Sequence, residues 1–158
     1  MIVSTTTNYT GRKKDISVMH SPDATAYGAQ NITIGFGKRG QYCAGLQKTI
    51  QKYAIVLLTN LASQEAYPDF GTNFLSTLQG GISPVDALQA TQIFNLASYD
   101  AIALLKTYQA TREDIPDDER IVSATLAAIS LNAGVAAFDV SVVTEAGSSI
   151  NFLIPLPK

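Results

Sequence analysis

Apolar residues in the first half of the chain recur at steps of three and four, which is the spacing of one face of an α-helix. Leu46, Ile50, Tyr53, Leu57 and Leu61 follow this pattern. It predicts a first core helix that begins near residue 46. A Pro-containing segment interrupts the pattern at residues 67–72, and a short turn of helix is expected to follow over residues 73–78.

A longer apolar stripe predicts a second major helix over about residues 84–109, packed on one side. Ser83 can cap its start, Pro84 suits the first helical position, and Asp86 would meet the positive end of the helix. The stripe comprises Phe94, Ala97, Ala101, Leu105 and Tyr108, widened by Ile93, Leu96 and Leu104.

The period changes to two in the last quarter of the chain, which predicts β-strands. Residues 121–131 are rich in β-branched and small side chains, and apolar residues alternate with polar ones around Val140 and again after a turn at 145–148. Pro155 and Pro157 lie in the last strand, and proline is tolerated at a sheet edge. The expected fold class is therefore α+β, with helices packed against a small antiparallel sheet that ends in a C-terminal hairpin.

The N-terminal quarter has weaker patterning. Residues 1–14 are Thr-rich and predict an extended or mobile arm, and two short strands are expected over residues 15–19 and 31–36. The domain prediction is an N-terminal arm with short strands over residues 1–40, followed by one compact domain over residues 41–158.

The amino-acid composition argues against several classes of function. A net charge of −2 and a charged fraction of 15% give no basic field for nucleic acid. The polar surface is largely Ser, Thr, Asn and Gln, which is easier to desolvate against another protein than a Lys/Glu-rich surface. Cys43 is the single cysteine, so no internal disulfide or zinc site is expected, and Cys43 itself is predicted to be a small buried side chain. No apolar stretch has the length of a membrane helix.

Candidate catalytic groups are few. Glu65 and Asp69 are a carboxylate pair of the kind that glycoside hydrolysis needs, but the spacing alone is common, and a solvated Glu65 and a helix-capping Asp69 are the preferred interpretation. His20 and Ser21 are adjacent and would point to opposite faces of an extended chain. The acidic residues within 114–119 lack the spacing of a calcium loop. No cofactor, metal or catalytic activity is predicted.

Four segments, in order, carry a resemblance to a known family. They are residues 46–59 (LQKTIQKYAIVLLT), 67–72 (YPDFGT), 118–121 (DERI) and 152–156 (FLIPL). This order is similar to that of the T4-type baseplate wedge subunits and sheath initiators of contractile phage tails, a family often described as lysozyme-like. The chain differs in having Ser63, Gln64 and Glu65 where the family has a Gly-Glu-Arg-like triplet, and it lacks the proline of the family's Glu-Pro-Arg motif.

The resemblance implies a domain similar to the inner domain of the tail sheath protein. It also implies a structural subunit of the virion, present in several copies in a sixfold tail baseplate and assembled in the host cytoplasm. Other wedge proteins and the tail sheath protein would be its partners, with the tail tube as a further neighbour, and neither nucleic acid nor membrane is expected. The residues expected to contact partners are Tyr67, Pro68, Asp69, Phe70, Gly71, Thr72, Asp118, Glu119, Arg120, Ile150, Phe152 and Ile154.

Three expectations are specific enough to compare with a structure. Phe70 should point inward while Tyr67 and Asp69 face a partner. Arg120 should bond across an interface or brace its turn through Asp118. The strand over residues 150–156 should pair with a sheath strand through its main chain. Two alternatives stay open, namely a lysozyme-like peptidoglycan hydrolase that uses Glu65 and Asp69, and another tail adaptor or terminator protein.

Overall fold

A computed structural model of the chain describes residues 11–20, 30–31, 33–34, 42–80, 87–132 and 135–157. Residues 1–10 of the predicted arm and the predicted helix cap at Ser83, Pro84 and Asp86 lie outside the described residues. Within them the fold is α+β, as expected, with helices packed against a mainly antiparallel sheet.

Three α-helices occur in the described part of the chain: α1 (Leu46–Leu58), α2 (Phe74–Gln79) and α3 (Ala87–Ala110). The apolar spacing predicted α1 and α3, and α2 corresponds to the short turn of helix expected over residues 73–78. Leu61 lies beyond the end of α1 and is 43% exposed, so it does not extend the stripe of that helix. No helix in the described ranges combines the length and apolar character needed to cross a membrane.

Eight strands are described: β1 (Asp15–Ile16), β2 (Met19–His20), β3 (Gln30–Asn31), β4 (Thr33–Ile34), β5 (Tyr42–Cys43), β6 (Ile121–Asn132), β7 (Val135–Thr144) and β8 (Ser149–Pro157). The last three form the predicted antiparallel meander, and β3 adds to β8 in parallel, which gives the order β3-β8-β7-β6. The two expected N-terminal strands are each divided: β1 pairs with β5, β2 with β4, and β3 joins the main sheet.

The core lies between the helices and one face of the main sheet. Phe74 of α2 and Phe94 of α3 both contact Phe138 of β7, with ring centroids 5.3 and 5.8 Å away, and Tyr53 of α1 meets Phe152 edge-on at 6.1 Å. These rings are fully buried. Such pairs contribute about 0.5–1.5 kcal/mol each beyond their burial, so they fix how the helices sit on the sheet.

One polar chain crosses this core. The Tyr53 hydroxyl donates to Ser98 Oγ at 2.8 Å, and Ser98 Oγ donates to the Ala124 carbonyl at 3.3 Å. Burial raises the pKa of the Tyr53 hydroxyl far above its usual value, so it remains a neutral donor. These two hydrogen bonds link α1, α3 and β6, and neither buried hydroxyl is left unpaired.

The segment before α1 is held against the body. The Gln51 side chain accepts from Val18 N and donates to Ile16 O, both at 2.8 Å, and Lys48 Nζ donates to the Lys13 carbonyl at 3.0 Å. Residues 11–14, the end of the predicted extended or mobile arm, are therefore held against the domain. Cys43 is buried beside Gln51, as predicted, and burial is the main cause that raises the pKa of its thiol.

Part of the predicted helix stripe is solvent-exposed. Leu96 is 71% exposed and Tyr108 is 44% exposed, whereas Phe94, Ala97, Ala101 and Leu105 are buried as expected. The buried apolar face of α3 is thus narrower than the sequence pattern predicted.

Candidate functional site

The turn that joins α3 to β6 carries three of the predicted partner-binding residues. It contains a 3₁₀ turn, Asp117–Glu119, followed by Arg120. Pro116 precedes the turn in an extended conformation, so the chain reverses sharply after α3. This places Asp118, Glu119 and Arg120 between the start of α1, the end of α3 and the first residue of β6.

Glu119 is internal to the domain and not available to a partner. Its side chain is 5% exposed; Oε2 lies 2.7 Å from Lys48 Nζ, and Oε1 accepts from Gly45 N at 3.0 Å. Gly45 is the N-cap of α1 and has no side chain to cap the helix, so the Glu119 carboxylate supplies that acceptor at the positive end of the helix. The expectation of a partner contact at Glu119 is therefore wrong.

Arg120 also bonds within the chain. Its guanidinium donates to the carbonyl oxygen of Gln109 in the last turn of α3, at 3.2 Å, and to the carbonyl oxygens of Arg112 and Ile115 in the connection that follows, at 2.8 and 3.0 Å. The planar fork of donors suits this role, since helix ends leave carbonyls without intrahelical partners. The expected brace through Asp118 is wrong, because Asp118 pairs with Arg12.

Gln109 completes the junction, although the sequence analysis did not identify it as a functional or structural residue. Its side chain is buried, donates to the Glu119 carbonyl at 2.9 Å and accepts from Ile121 N at 3.1 Å. A glutamine at the end of an amphipathic helix is ordinarily expected to be a solvent-exposed residue. The only available signal was its position beside an acid and an arginine that are close in sequence to the helix end.

The loop between α1 and α2 holds the other group of predicted contacts. Gly71 has φ +110°, and a Cβ atom at this position would lie 2.4 Å from the Thr59 carbonyl oxygen. Thr72 is buried; its hydroxyl donates to Leu57 O at 2.7 Å, and its amide donates to Thr59 O at 2.8 Å. Gly71 and Thr72 therefore close the loop onto α1 and do not face outward as expected.

The tip of this loop is at the surface. Tyr67 is 69% exposed, Pro68 and Asp69 are exposed, and Phe70 packs partly buried against the core. The prediction that Phe70 points inward is confirmed, and Tyr67 and Asp69 are free to meet a partner, which stays a prediction. The capping role of Asp69 is wrong, because the N-cap of α2 is Asn73.

The last strand does not form the edge of the sheet. β3 lies beside β8, with Gln30 opposite Phe152 and Asn31 opposite Leu153. Phe152 and Ile154 are buried and Ile150 is half-buried, so these side chains hold the sheet to the helices. The predicted burial on one face is confirmed, whereas the predicted edge position is wrong where β3 covers the strand.

The prolines of β8 indicate which backbone groups face away from β7. Proline has no N–H to donate, so Pro155 and Pro157 fit only where their nitrogens point away from the paired strand. The β7–β8 register runs without a shift, and residues two apart share a direction. Asn151 and Leu153 therefore also present their backbone groups to the side where β3 lies.

The same alternation identifies the backbone groups of β6 that point away from the sheet. Along β7, residues that hydrogen-bond to β8 alternate with residues that hydrogen-bond to β6, so every second residue of β6 has its N–H and C=O directed away from β7. The residues with outward N–H and C=O groups are Ala124, Leu126, Ile129 and Leu131. The Ser98 bond to the Ala124 carbonyl agrees with this assignment, because that oxygen is not used by β7.

Strand β6 is thus an open edge within the described part of the chain. It has 12 residues, none charged and none proline, and the described strands pair with it on one side only. Two register shifts, between Ile121 and Ser123 and between Leu126 and Ala128, interrupt its pairing with β7. An incoming strand could use its outward donors and acceptors.

A charge-neutral substitution tests the buried pair. Glu119→Gln keeps an acceptor for Gly45 N but leaves the Lys48 ammonium buried without a counterion, so we expect a loss of about 3 kcal/mol in unfolding free energy. Urea unfolding measures this loss. The double variant Lys48→Met/Glu119→Gln should recover much of it, and the exposed control Lys106→Met should stay close to the parent protein. A Glu119→Gln variant as stable as the control would contradict the structural role.

A second substitution tests the arginine that joins α3 to the turn. Arg120→Ala removes three charge-assisted hydrogen bonds, and we expect a destabilisation of about 2 kcal/mol or more, seen as a lower melting temperature. Arg120→Lys should recover only part of the lost stability, because one ammonium group cannot donate to all three carbonyl oxygens in this arrangement. Arg112→Ala, at an exposed neighbour, is the matched control. An unchanged melting temperature combined with failed assembly would restore the interface role first expected for Arg120.

Comparison with protein-family models, with curated proteins and with solved structures finds no match for this chain.

Proposed function

We propose that the chain is a non-enzymatic structural subunit of a contractile phage tail baseplate, and that it starts the sheath by adding a neighbour's strand to its own sheet. The observation that carries this proposal is the open edge strand β6, which is 12 residues long and uncharged. Edges of this kind are usually blunted in soluble proteins by charges or prolines. The sequence resemblance to sheath initiators supports the same role.

Strand β6 suits this role better than the expected strand β8. The outer side of β8 has no donor at Pro155 or Pro157, and β3 occupies the position opposite Phe152 and Leu153. The outward side of β6 keeps donors at Leu126, Ile129 and Leu131. Main-chain pairing supplies affinity with little dependence on sequence, which suits a subunit that must accept an incoming copy of a polymerising protein.

The side chains of β6 would fix the register of an added strand. Ala124 is buried and Leu126, Ile129 and Leu131 are half-buried on the face toward α3, while Thr125 and Ala128 are exposed on the other face. A shift by one residue would move apolar side chains of the incoming strand from the covered face to solvent. The bulge around Ala127 would limit pairing to the segments on either side of it.

The hydrolase alternative has less support. Glu65 and Asp69 are both exposed, lie in the loop between α1 and α2, and line neither of the two main clefts of the described surface. Glycoside hydrolysis needs two carboxylates that flank a bound sugar, which an exposed loop tip does not provide. A tail adaptor or terminator would share the open edge and differs from an initiator only in the partner it accepts.

Charge added at the edge tests the proposal. The variant Thr125→Lys/Ala128→Lys places two ammonium groups at exposed positions beside the outward donors, and we expect sheath nucleation to slow by about tenfold or more. The assay is polymerisation of purified sheath protein of the same particle, seeded with this chain and followed by light scattering. Gln92→Lys/Ala103→Lys adds the same charge on the exposed side of α3 and should nucleate normally.

The outcomes separate the two sheet edges. Asn151→Pro removes an outward donor of β8 and should have little effect if β6 is the pairing edge. If Asn151→Pro, with unchanged thermal stability, blocks nucleation while the charged β6 variant does not, the pairing edge is β8. Normal nucleation by both variants would refute strand addition. Release of sugar from peptidoglycan by the purified chain would favour the hydrolase alternative.

A further inference from the structure

More than half of the cationic side chains of this acidic protein gather in one cleft. The cleft has a volume of about 490 Å³ and lies between residues 11–15, the middle of α1 and the end of α3. Six of the 11 lysines and arginines line it: Arg12, Lys13, Lys14, Lys48, Lys52 and Arg112. Its size is within the range of ligand sites.

The carboxylates in the cleft do not balance these charges. Asp15, Asp114 and Glu119 line it, which leaves an excess of three positive charges, and Asp118, paired with Arg12, reduces the excess to two. The whole chain carries −2, so the rest of the molecule is more acidic than the total suggests. The absence of a basic field, expected from composition, therefore does not hold locally.

The cleft already binds carboxylates of its own chain. Lys13 and Arg112 hold Asp114 from two sides and lower its pKa, and Lys48 holds Glu119. Lys14 and Lys52 have no carboxylate partner among the described residues. Lys52 instead lies over the ring of Tyr108, which also lines the cleft, 5.4 Å from its centroid.

We propose that this cleft binds an acidic segment of a partner protein, whose Asp or Glu side chains pair with Lys14 and Lys52. A phosphate bound at a helix N-terminus is less suitable, because Glu119 already occupies the N-terminus of α1. A long nucleic acid would meet the acidic remainder of the chain. A short acidic segment needs only the local excess of positive charge.

The cleft is separate from the edge strand, since no residue of β6 lines it. It could serve a second partner while β6 pairs with another chain. The inference goes beyond the proposed function and does not depend on the identity of the particle. Failure of sheath nucleation would leave acidic-segment binding intact, and loss of that binding would leave the edge strand unaffected.

The test uses the full chain and a fluorescein-labelled Glu/Gly peptide, with binding followed by anisotropy at low salt. We expect saturable binding that weakens as salt rises, and a dissociation constant raised about fivefold or more in Lys14→Gln/Lys52→Gln. Lys106→Gln, an exposed lysine of α3 outside the cleft, is the matched control and should bind like the parent. A Gln/Gly peptide should not bind.

Three results would overturn the proposal. The first is no binding of the Glu/Gly peptide by the parent chain. The second is equal binding by the double variant and the parent, with both folded by circular dichroism. The third is tighter binding of a short oligothymidylate of matched charge, which would assign the cleft to nucleic acid, or of inorganic phosphate, which would make it an anion site.

Discussion

The buried ion pair between Glu119 and Lys48 is the interaction on which the arrangement of helices and sheet depends. It lies where α1 begins, and the same carboxylate caps that helix through Gly45. The flanking Arg120 ties the turn to the end of α3, and Gln109 ties it to β6. Because a buried charge without a partner costs several kcal/mol, the turn can occupy only a position that satisfies all of these groups.

This junction fixes the start of the open edge strand β6. The first residue of β6, Ile121, is buried and its amide is bonded to Gln109, while the face of the strand packs on α3. Strand addition at β6 would therefore meet a backbone already fixed in direction, which lowers the conformational entropy lost on pairing. Glu119 and Arg120, first interpreted as part of a docking motif, instead hold the turn that leads into β6.

The sequence predicted elements whose signal is local. The periodic apolar patterns of α1, α3 and the meander were sufficient to predict these elements, because each pattern can be seen within a short stretch of sequence. The exposure of Tyr67 and the inward Phe70 followed from the same reasoning. Contacts between distant residues could not be predicted this way: Glu119 reaches Gly45 across 74 positions, and β3 joins β8 from the other end of the chain.

Two misassignments have the same physical origin. Charged and polar residues in or near a turn are usually expected at the surface. Glu119 and Arg120 were therefore predicted to contact a partner, and Gln109 was not identified. Burial with full hydrogen bonding is equally compatible with the chemistry of these side chains. Prolines in the last strand suggested an edge, and they do lie on its outer side, yet a two-residue strand still pairs there. Strand β6, at the opposite edge, contains no proline and no charged residue from which its edge position could have been predicted.

Amide hydrogen exchange of the isolated chain and of its assembly tests the central claim most directly, since it distinguishes outward from inward amides along one strand. In the isolated chain the amides of Leu126, Ile129 and Leu131 should exchange much faster than those of Thr125 and Ala128, which bond β7. On assembly with the sheath partner these outward amides should become protected. Outward amides that are already protected in the isolated chain, or that remain fast in the assembly, would contradict strand addition at β6.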